Sequence, residues 1–349
     1  MRGRSWLVLV ALIVLVIAGH WLYWRSVERH LAVGFEVWAA ELRTEGWAVT
    51  AGPLARGGWP LAATLALPQL SLEGGESDIP GGFSWGAERV VLRVALLRPT
   101  ALSITAEGPQ HLRLGELPDV RYTAERLEAA VPLGPRAAPH PADLVARNVR
   151  AGIPFGHDRT ASLTVGFLQA HFEARPSATR GEAALGFTVS AEDIGLPPGV
   201  RWPLGARISS ASAEGALNGP VPQTLVFQER AIGWRDGGGT LAMDRFALGW
   251  GPLGLSASAT LALDQELQPM GTANARIVGF NETLDTLAAN GAISPRVDTA
   301  VQAVLVLMAH APENGDPAQI EVPLTLQDRT LSVRQIPLAR MPLLAWPTR

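Results

Sequence analysis

The segment Gly82-Phe83-Ser84-Trp85-Gly86 matches G-x-S-x-G, the pattern that presents a nucleophilic serine in many hydrolases. That chemistry requires a sharp turn, with a buried strand before the serine and a helix after it. Here a loop-like segment, 76–81, precedes the match, and alternating apolar residues follow it from Val90. The sequence therefore predicts that Ser84 is not a nucleophile and that Trp85 packs within a strand.

The remaining reactive side chains form no recognisable set. The chain has no cysteine, and its histidines lack the H-x-x-x-H or H-E-x-x-H spacing of zinc sites. We expect no catalytic residue, no metal ligand and no cofactor. An enzyme whose carboxylates are paired only by the fold remains an alternative. The seven histidines are His20, His30, His111, His140, His157, His171 and His310.

Charge and composition limit the classes of partner that are expected for this protein. The formal net charge is −3, there is no lysine, and no run of basic residues occurs, so nucleic acid is not an expected partner. Hydrophobic residues make up 47% of the chain and charged residues 17%, which is enough apolar material for a sizeable core. Without cysteine, packing rather than disulfides must hold the fold.

The first element that the sequence predicts is an uncharged run from Trp6 to Trp24. As a helix, these 19 residues rise roughly 28 Å, about one hydrocarbon core. Arg2 and Arg4 precede the run, which predicts a single-pass inner-membrane anchor with a cytoplasmic N-terminus and a periplasmic body. The alternatives are a signal peptide cleaved after Val16-Ile17-Ala18 and a buried core helix. The residues expected to mark the membrane interfaces are Trp6, Trp21, Tyr23 and Trp24.

A second helix is predicted directly after the anchor, over 25–45, with Gly46 as its stop. Its apolar residues recur every three or four positions and form one stripe, which predicts packing on the body, with a partner-binding or surface-lying helix as the alternative. Glu28 and Arg29 lie largely off this stripe. The stripe consists of Val27, Leu31, Phe35, Trp38 and Leu42.

Beyond Gly46 the apolar period changes to two, which indicates strands with one buried face. Val90 to Leu96 and Leu253 to Asp264 show the clearest alternation. The predicted fold class is mainly β, with antiparallel, curved or folded-over sheets, a few covering helices and one N-terminal transmembrane helix. Asp236 to Gly239 is predicted to be a hairpin turn, and 225–227 a strand.

Proline and capping residues divide the body. Four prolines between Pro132 and Pro141 predict a linker, and 143–150 is predicted to be a short helix. Asn281 is predicted to cap one late helix, and Ser294-Pro295 a second. The predicted organisation is a cytoplasmic tail 1–5, an anchor 6–24, a membrane-proximal helix 25–45, a first β unit 46–131, a linker 132–142, and a second β unit 143–349 with a helical hairpin near 281–309.

Tryptophan, glycine and proline at strand entries, as in Gly46-Trp47 and Gly58-Trp59-Pro60, resemble an uncharacterised alphaproteobacterial family, the one catalogued as domain of unknown function 2125. That resemblance implies no catalytic residues. The segment Leu331 to Leu338 is also similar to the closing strands of AsmA-like envelope proteins. The family resemblance is carried by Gly46-Trp47, Gly58-Trp59-Pro60, Phe83-Ser84-Trp85, Gly249 to Leu253 and Leu261 to Asp264.

Three functions remain after this reasoning. The first is a non-enzymatic envelope protein whose β-sheet binds lipid, with membrane lipids as partners. The second is a structural or assembly factor with a closed core, with other envelope proteins as partners, and the third is an enzyme by another route. For the first, small residues between leucines predict an apolar trough on each of two strands. The residues predicted to line it are Leu61, Ala63, Leu65, Leu67, Leu255, Ala257, Ala259 and Leu261.

Overall fold

The structure, a computed structural model, describes residues 2–75, 82–115, 117–134, 140–155, 159–222, 227–291, 319–333, 336–344 and 346. It consists of antiparallel strands with three helices in this part of the chain. The chain divides into two compact units, the first ending at Pro135 and the second running from Arg136. This division falls inside the predicted linker 132–142.

The first unit begins with helix α1, Arg2–Thr44, which joins the predicted anchor and the predicted second helix without interruption. Within the described residues, α1 is the one helix long and apolar enough to cross a membrane, with a mean hydropathy of 1.6. Its apolar side chains between Leu9 and Leu22 are exposed, as expected for a segment that contacts lipid rather than protein. The helix ends at Thr44, and Gly46 just after it has a φ of 90°, in the left-handed region, as predicted for its stop.

The sheet of the first unit is a meander of long strands. β1 and β2 both pair with β3, β3 pairs with β4, β4 with β5, and β5 with both β6 and β7, all antiparallel. The bounds are β1 Ala48–Thr50, β2 Ala55–Gly57, β3 Ala62–Gly74, β4 Phe83–Ala95, β5 Ala101–Leu114, β6 Val120–Thr123 and β7 Arg126–Pro132.

The core of this unit forms where α1 covers the sheet. The stripe predicted on the helix faces β3, β4 and β5, and the alternation predicted for β4 is confirmed. Since both elements remove apolar surface from water at one interface, this contact supplies the main stabilisation of the unit. The buried residues of the cluster are Ala32, Phe35, Ala39, Val49, Leu65, Leu67, Leu70, Ala87, Val90, Leu92 and Ala106.

The second unit is a continuous antiparallel meander in which each strand pairs with the next, from β8 to β17. The alternating strand predicted at 253–264 is confirmed as β13. The bounds are β8 His140–Phe155, β9 Arg159–Ala174, β10 Ala183–Gly195, β11 Arg207–Asn218, β12 Thr240–Trp250, β13 Leu253–Leu263, β14 Pro269–Val278, β15 Gln319–Gln327, β16 Thr330–Val333 and β17 Ile336–Arg340.

Two helices interrupt this meander, of which the first was not predicted and the second starts before its predicted cap. α2, Phe227–Asp236, occupies the place where a hairpin was predicted, so 237–239 connects a helix to β12. α3, Phe280–Ala289, begins after Gly279 rather than at a cap by Asn281. Gly279 has φ 68°, and a Cβ there would lie 2.1 Å from the Pro252 carbonyl oxygen, so this entry requires glycine.

The prediction of a short helix at 143–150 is wrong, because these residues lie in β8 and pair with β9. The linker is also shorter than predicted, since β7 reaches Pro132 and β8 starts at His140. Asp328 and Arg329 form the turn between β15 and β16, with φ values of 49° and 63°. The helix predicted from Ser294-Pro295 and most of the strand predicted at 225–227 lie outside the described residues.

Candidate functional site

An apolar cavity of about 780 Å³ lies between α1 and the sheet of the first unit. Its helix wall extends from Val27 to Trp38, and its sheet wall is formed by β3, β4, β5 and β7. The wall residues are Val27, His30, Leu31, Gly34, Phe35, Trp38, Leu67, Leu70, Leu72, Trp85, Val90, Leu92, Val94, Pro99, Leu102, Ile104, Val131 and Leu133. We call this space the helix–sheet cavity.

On the helix wall, Gly34 lines the cavity between Leu31 and Trp38. The residue itself is exposed. A Cβ built on Gly34 would have no heavy atom within 4 Å. Glycine in the middle of a helix lowers its stability by about 1 kcal/mol relative to alanine. At position 34 it leaves open space on the cavity wall.

On the sheet wall, a backbone irregularity brings successive leucines to the cavity. Leu67 and Leu70 are an odd number of positions apart, so a regular strand would place them on opposite faces. Gln69 between them has φ 49°, and both leucines line the cavity. Sequence alternation alone does not reveal this change of face.

Trp85 closes the end of the cavity away from the predicted membrane. Its indole Nε1–H donates to the hydroxyl oxygen of Tyr122 at 2.9 Å, which fixes the ring. Burial raises the pKa of Tyr122 above its usual value of 10.0, and the hydrogen bond from Trp85 partly offsets this effect. Trp85 is thus packed within a strand, as predicted.

Among the described residues that line the cavity, His30 is the one with an ionisable side chain. Its Nδ1 lies 2.6 Å from the Ser26 carbonyl oxygen, so Nδ1–H donates there and Nε2 of the neutral ring is an acceptor. The residue is exposed and lies six positions after Trp24, roughly 9 Å along the helix. A polar group at this end of the cavity contrasts with apolar walls elsewhere.

The start of β3 is attached to the end of the predicted anchor. His20 Nε2–H donates to the Pro60 carbonyl oxygen at 2.7 Å, and Trp24 Nε1–H donates to the Ala62 carbonyl oxygen at 3.0 Å. The end of the cavity near Val27 therefore lies within about 5 Å, along the helix, of the predicted membrane interface at Trp24.

The lining predicted from the sequence is only partly placed at cavities. In the first unit, Leu67 lines the helix–sheet cavity, Ala63 and Leu65 are fully buried, and Leu61 is exposed before β3 begins. In the second unit, Leu261 lines a separate apolar cavity of about 320 Å³, and Ala259 lines a polar one of about 480 Å³. Leu255 and Ala257 are half-buried in β13 and line none of these three cavities. The trough stays a prediction.

The hydrolase motif has no elbow. Ser84 is the second residue of β4 and is buried, and the strand continues from it to Ala95 instead of turning into a helix. Its strand neighbours are Glu73 and Arg113. Within the described residues, no group of three His, Asp or Glu side chains is arranged to hold a metal ion.

Sequence reasoning missed one buried charge. Glu28 was placed off the helical stripe, yet its side chain is almost fully buried, with Oε1 2.9 Å from Arg56 Nε of β2. This oxygen accepts no hydrogen bond from the described residues, so the contact is an ion pair without hydrogen-bond geometry. The position of Glu28 next to Val27, a residue of the apolar stripe, was the indication in the sequence that Glu28 could be buried.

Together, the fold and the cavity define a class: a β-rich protein in which a long, membrane-compatible helix covers one face of a sheet and leaves an apolar cavity beneath it. The comparison with family models identifies the family. Residues 24–342 match the family described as an uncharacterized protein conserved in bacteria, DUF2125, and the chain belongs to it. No curated protein and no solved structure matches the chain. The likeness to AsmA-like proteins stays a prediction.

Proposed function

We propose that this protein is a membrane-anchored, non-enzymatic envelope protein that binds a lipid acyl chain in the helix–sheet cavity. The observation that carries the proposal is the cavity itself, an apolar space of about 780 Å³ between α1 and the sheet. Small-molecule sites are concave, mostly apolar and about 300–1,000 Å³ in volume, with few polar groups. The cavity has these properties, with His30 as its ionisable group.

The chemistry of the walls favours a hydrocarbon chain. The helix wall from Val27 to Trp38 extends roughly 16 Å, and aromatic and branched apolar side chains line the space along it. Burying each methylene of a ligand stabilises the complex by about 0.8 kcal/mol, before the cost of ordering the chain. An acyl chain of ordinary length therefore gains enough to bind.

The position of His30 supports one orientation of the ligand. With Nδ1–H bonded to the Ser26 carbonyl, Nε2 can accept a hydrogen bond from a headgroup or, when protonated, contact an anionic one. The headgroup would then lie near the membrane end and the tail would extend toward Trp85. The protein would be a single-pass inner-membrane protein with its β units in the periplasm.

The proposal is tested on the full-length chain purified from membranes in mild detergent. Native mass spectrometry and lipid extraction are expected to detect about one phospholipid or fatty acid per chain. After delipidation, the protein is expected to take up cis-parinaric acid, with increased fluorescence. A lipid-free preparation that also fails to take up this probe would contradict the proposal.

A second candidate is the structural or assembly role, and the last strand favours it. β17 pairs with β16 and is exposed along its length, with Ile336 and Leu338 on its surface. An exposed strand edge can add a strand from another chain, although Pro337 removes one backbone donor. Cross-linking from Leu338→Cys in membranes to another envelope protein would favour this role, and its absence would count against it.

A further inference from the structure

We propose that the end of the first sheet nearest Trp24 is seated in the membrane interface and delivers the lipid ligand directly from the bilayer. This inference rests on the proposed anchor and on the proposed lipid site. The partner of the surface is the lipid bilayer. We call this surface the membrane rim; it consists of Trp59, Leu61, Leu97 and Arg98.

The level of the membrane rim along α1 follows from a hydrogen bond to the predicted span. His20 lies four residues before Trp24, inside the predicted span, and its ring N–H donates to the Pro60 carbonyl. This bond holds the loop between β2 and β3 at the level of the last turn of the span. The flanking side chains of Trp59 and Leu61 are exposed, Leu61 to 67%.

A neighbouring loop, between β4 and β5, extends the membrane rim. The Leu96 N–H donates to the Leu61 carbonyl oxygen at 3.1 Å, so the loop between β4 and β5 lies beside the first one. Leu97 at its tip is 85% exposed, and Arg98 follows it, also exposed. Two adjacent loops thus present large apolar side chains at one level, where water would be an unfavourable neighbour.

Two arginine side chains place positive charge near these loops. Arg25 begins the segment after the span, with its guanidinium carbon 5.6 Å from the centre of the Trp21 ring. Together with Arg98, it provides positive charge at the level where lipid phosphates lie. Apolar tips flanked by arginine and tryptophan are typical of surfaces that insert into the interface.

The rim is also continuous with the cavity. Pro99 and Leu133 line the cavity, and Pro99 is two residues from Leu97. The Leu133 N–H donates to the Thr100 carbonyl at 2.8 Å, so both lie at the rim end of the sheet. A lipid can therefore move from the bilayer into the cavity without crossing water, which would remove the main barrier to its extraction.

The absence of native cysteine allows a direct test, since one introduced cysteine is the only labelling site. Full-length Leu97→Cys carries a nitroxide in nanodiscs of phosphatidylethanolamine and phosphatidylglycerol. Its accessibility to oxygen is expected to exceed that to a water-soluble nickel chelate. The matched control is Leu114→Cys, exposed at the opposite end of β5, roughly 40 Å away, where the nickel chelate should dominate.

A third label, Ile13→Cys, separates this inference from its premises. If Ile13 is in hydrocarbon while Leu97 is in water, the rim is overturned and the anchor stands. If Ile13 is in water, the anchor and the rim both fail. If Leu97 is in the bilayer but the purified protein carries no lipid and takes up no cis-parinaric acid, the rim stands as a membrane contact, while lipid binding and delivery from the bilayer both fail.

Delivery itself is tested with Leu97→Asp. Transfer of a fluorescent phospholipid from donor vesicles is expected to be lost, whereas uptake of cis-parinaric acid from solution stays at the wild-type level. Leu114→Asp is the control and should retain both activities. Transfer at the wild-type rate in Leu97→Asp would overturn direct delivery from the bilayer.

Discussion

The two units of this protein bury their apolar residues in different ways. In the first, α1 lies on the sheet, and residues such as Leu65 and Val90 are shielded completely. In the second, β13 pairs with both neighbours, with one register shift against β12, yet its residues are half-buried or exposed throughout. The first unit therefore depends on a helix–sheet core, while the second depends more on cross-strand pairs.

The largest expected effect is a difference in lost stability between one leucine substitution in each unit. Leu65→Ala removes a fully buried side chain and is expected to destabilise the first unit by about 2–5 kcal/mol, from lost transfer energy and a new void. Leu255→Ala removes a half-buried one from β13 and is expected to cost about 1–2 kcal/mol. Hydrogen exchange, which reports each unit separately, is the measurement. Equal losses of protection would break the contrast.

A smaller effect is expected from two ion pairs whose arginines are equally exposed. Arg56 and Arg276 are exposed to 52% and 53%, but their partners differ: Glu28 to 2% and Glu321 to 67%. Arg56→Ala leaves a buried carboxylate without its cation and is expected to cost about 1–2 kcal/mol after allowance for solvent at the arginine. Arg276→Ala removes a surface pair worth about 0–1 kcal/mol.

Urea unfolding of both arginine variants is the check. A midpoint for Arg56→Ala that equals that of Arg276→Ala would show that Glu28 is stabilised by other means. Glu28→Gln serves as the control, because it removes the charge while keeping the shape of the side chain.

The smallest expected effect concerns pH in the second unit. Hydrogen bonds to Asp143 Oδ1 at 2.7 Å and Glu173 Oε1 at 3.4 Å raise the pKa of His171 above its usual value of 6.5. A raised pKa means that protonated His171 stabilises the fold fully below pH 6.5, and that this contribution disappears as pH rises through the folded pKa. Solvent limits it to a fraction of a kcal/mol.

An NMR titration of the His171 ring is expected to give a midpoint above 6.5 that falls in Asp143→Asn. The melting temperature of the second unit should decrease slightly as pH rises from 6.5, and His171→Gln should abolish that trend. A midpoint at or below 6.5 in the wild type would contradict the assignment.

The sequence predicts the parts of this molecule that local patterns control. The stripe from Val27 to Leu42 and the alternation from Val90 to Leu96 both correspond to faces in the structure, because each pattern records one buried side of one element. The membrane-compatible helix follows in the same way from length and composition.

Features that depend on contacts between distant segments were not predictable. Residues 143–150 were interpreted as a helix, and only their pairing with β9 makes them a strand. The cavity depends on Gly34 facing a sheet whose faces change at Gln69, which no periodicity reveals. Glu28 was missed because its partner, Arg56, lies 28 positions away on β2.

The central claim is that the helix–sheet cavity binds an acyl chain, and Gly34 offers the most direct test. Gly34→Phe places a ring in open space and gains roughly 0.5 kcal/mol of helix propensity, so folding should be preserved. Gly19→Phe is the matched control on the same helix, also with open space and away from the cavity. Ala259→Trp tests the predicted trough of the second unit.

The measurement is the number of lipids per full-length chain by native mass spectrometry, with circular dichroism to verify folding. We predict about one lipid for the wild type, Gly19→Phe and Ala259→Trp, and none for Gly34→Phe. Retention of lipid by folded Gly34→Phe, or its loss only in Ala259→Trp, would contradict the assignment of the binding site to the first unit.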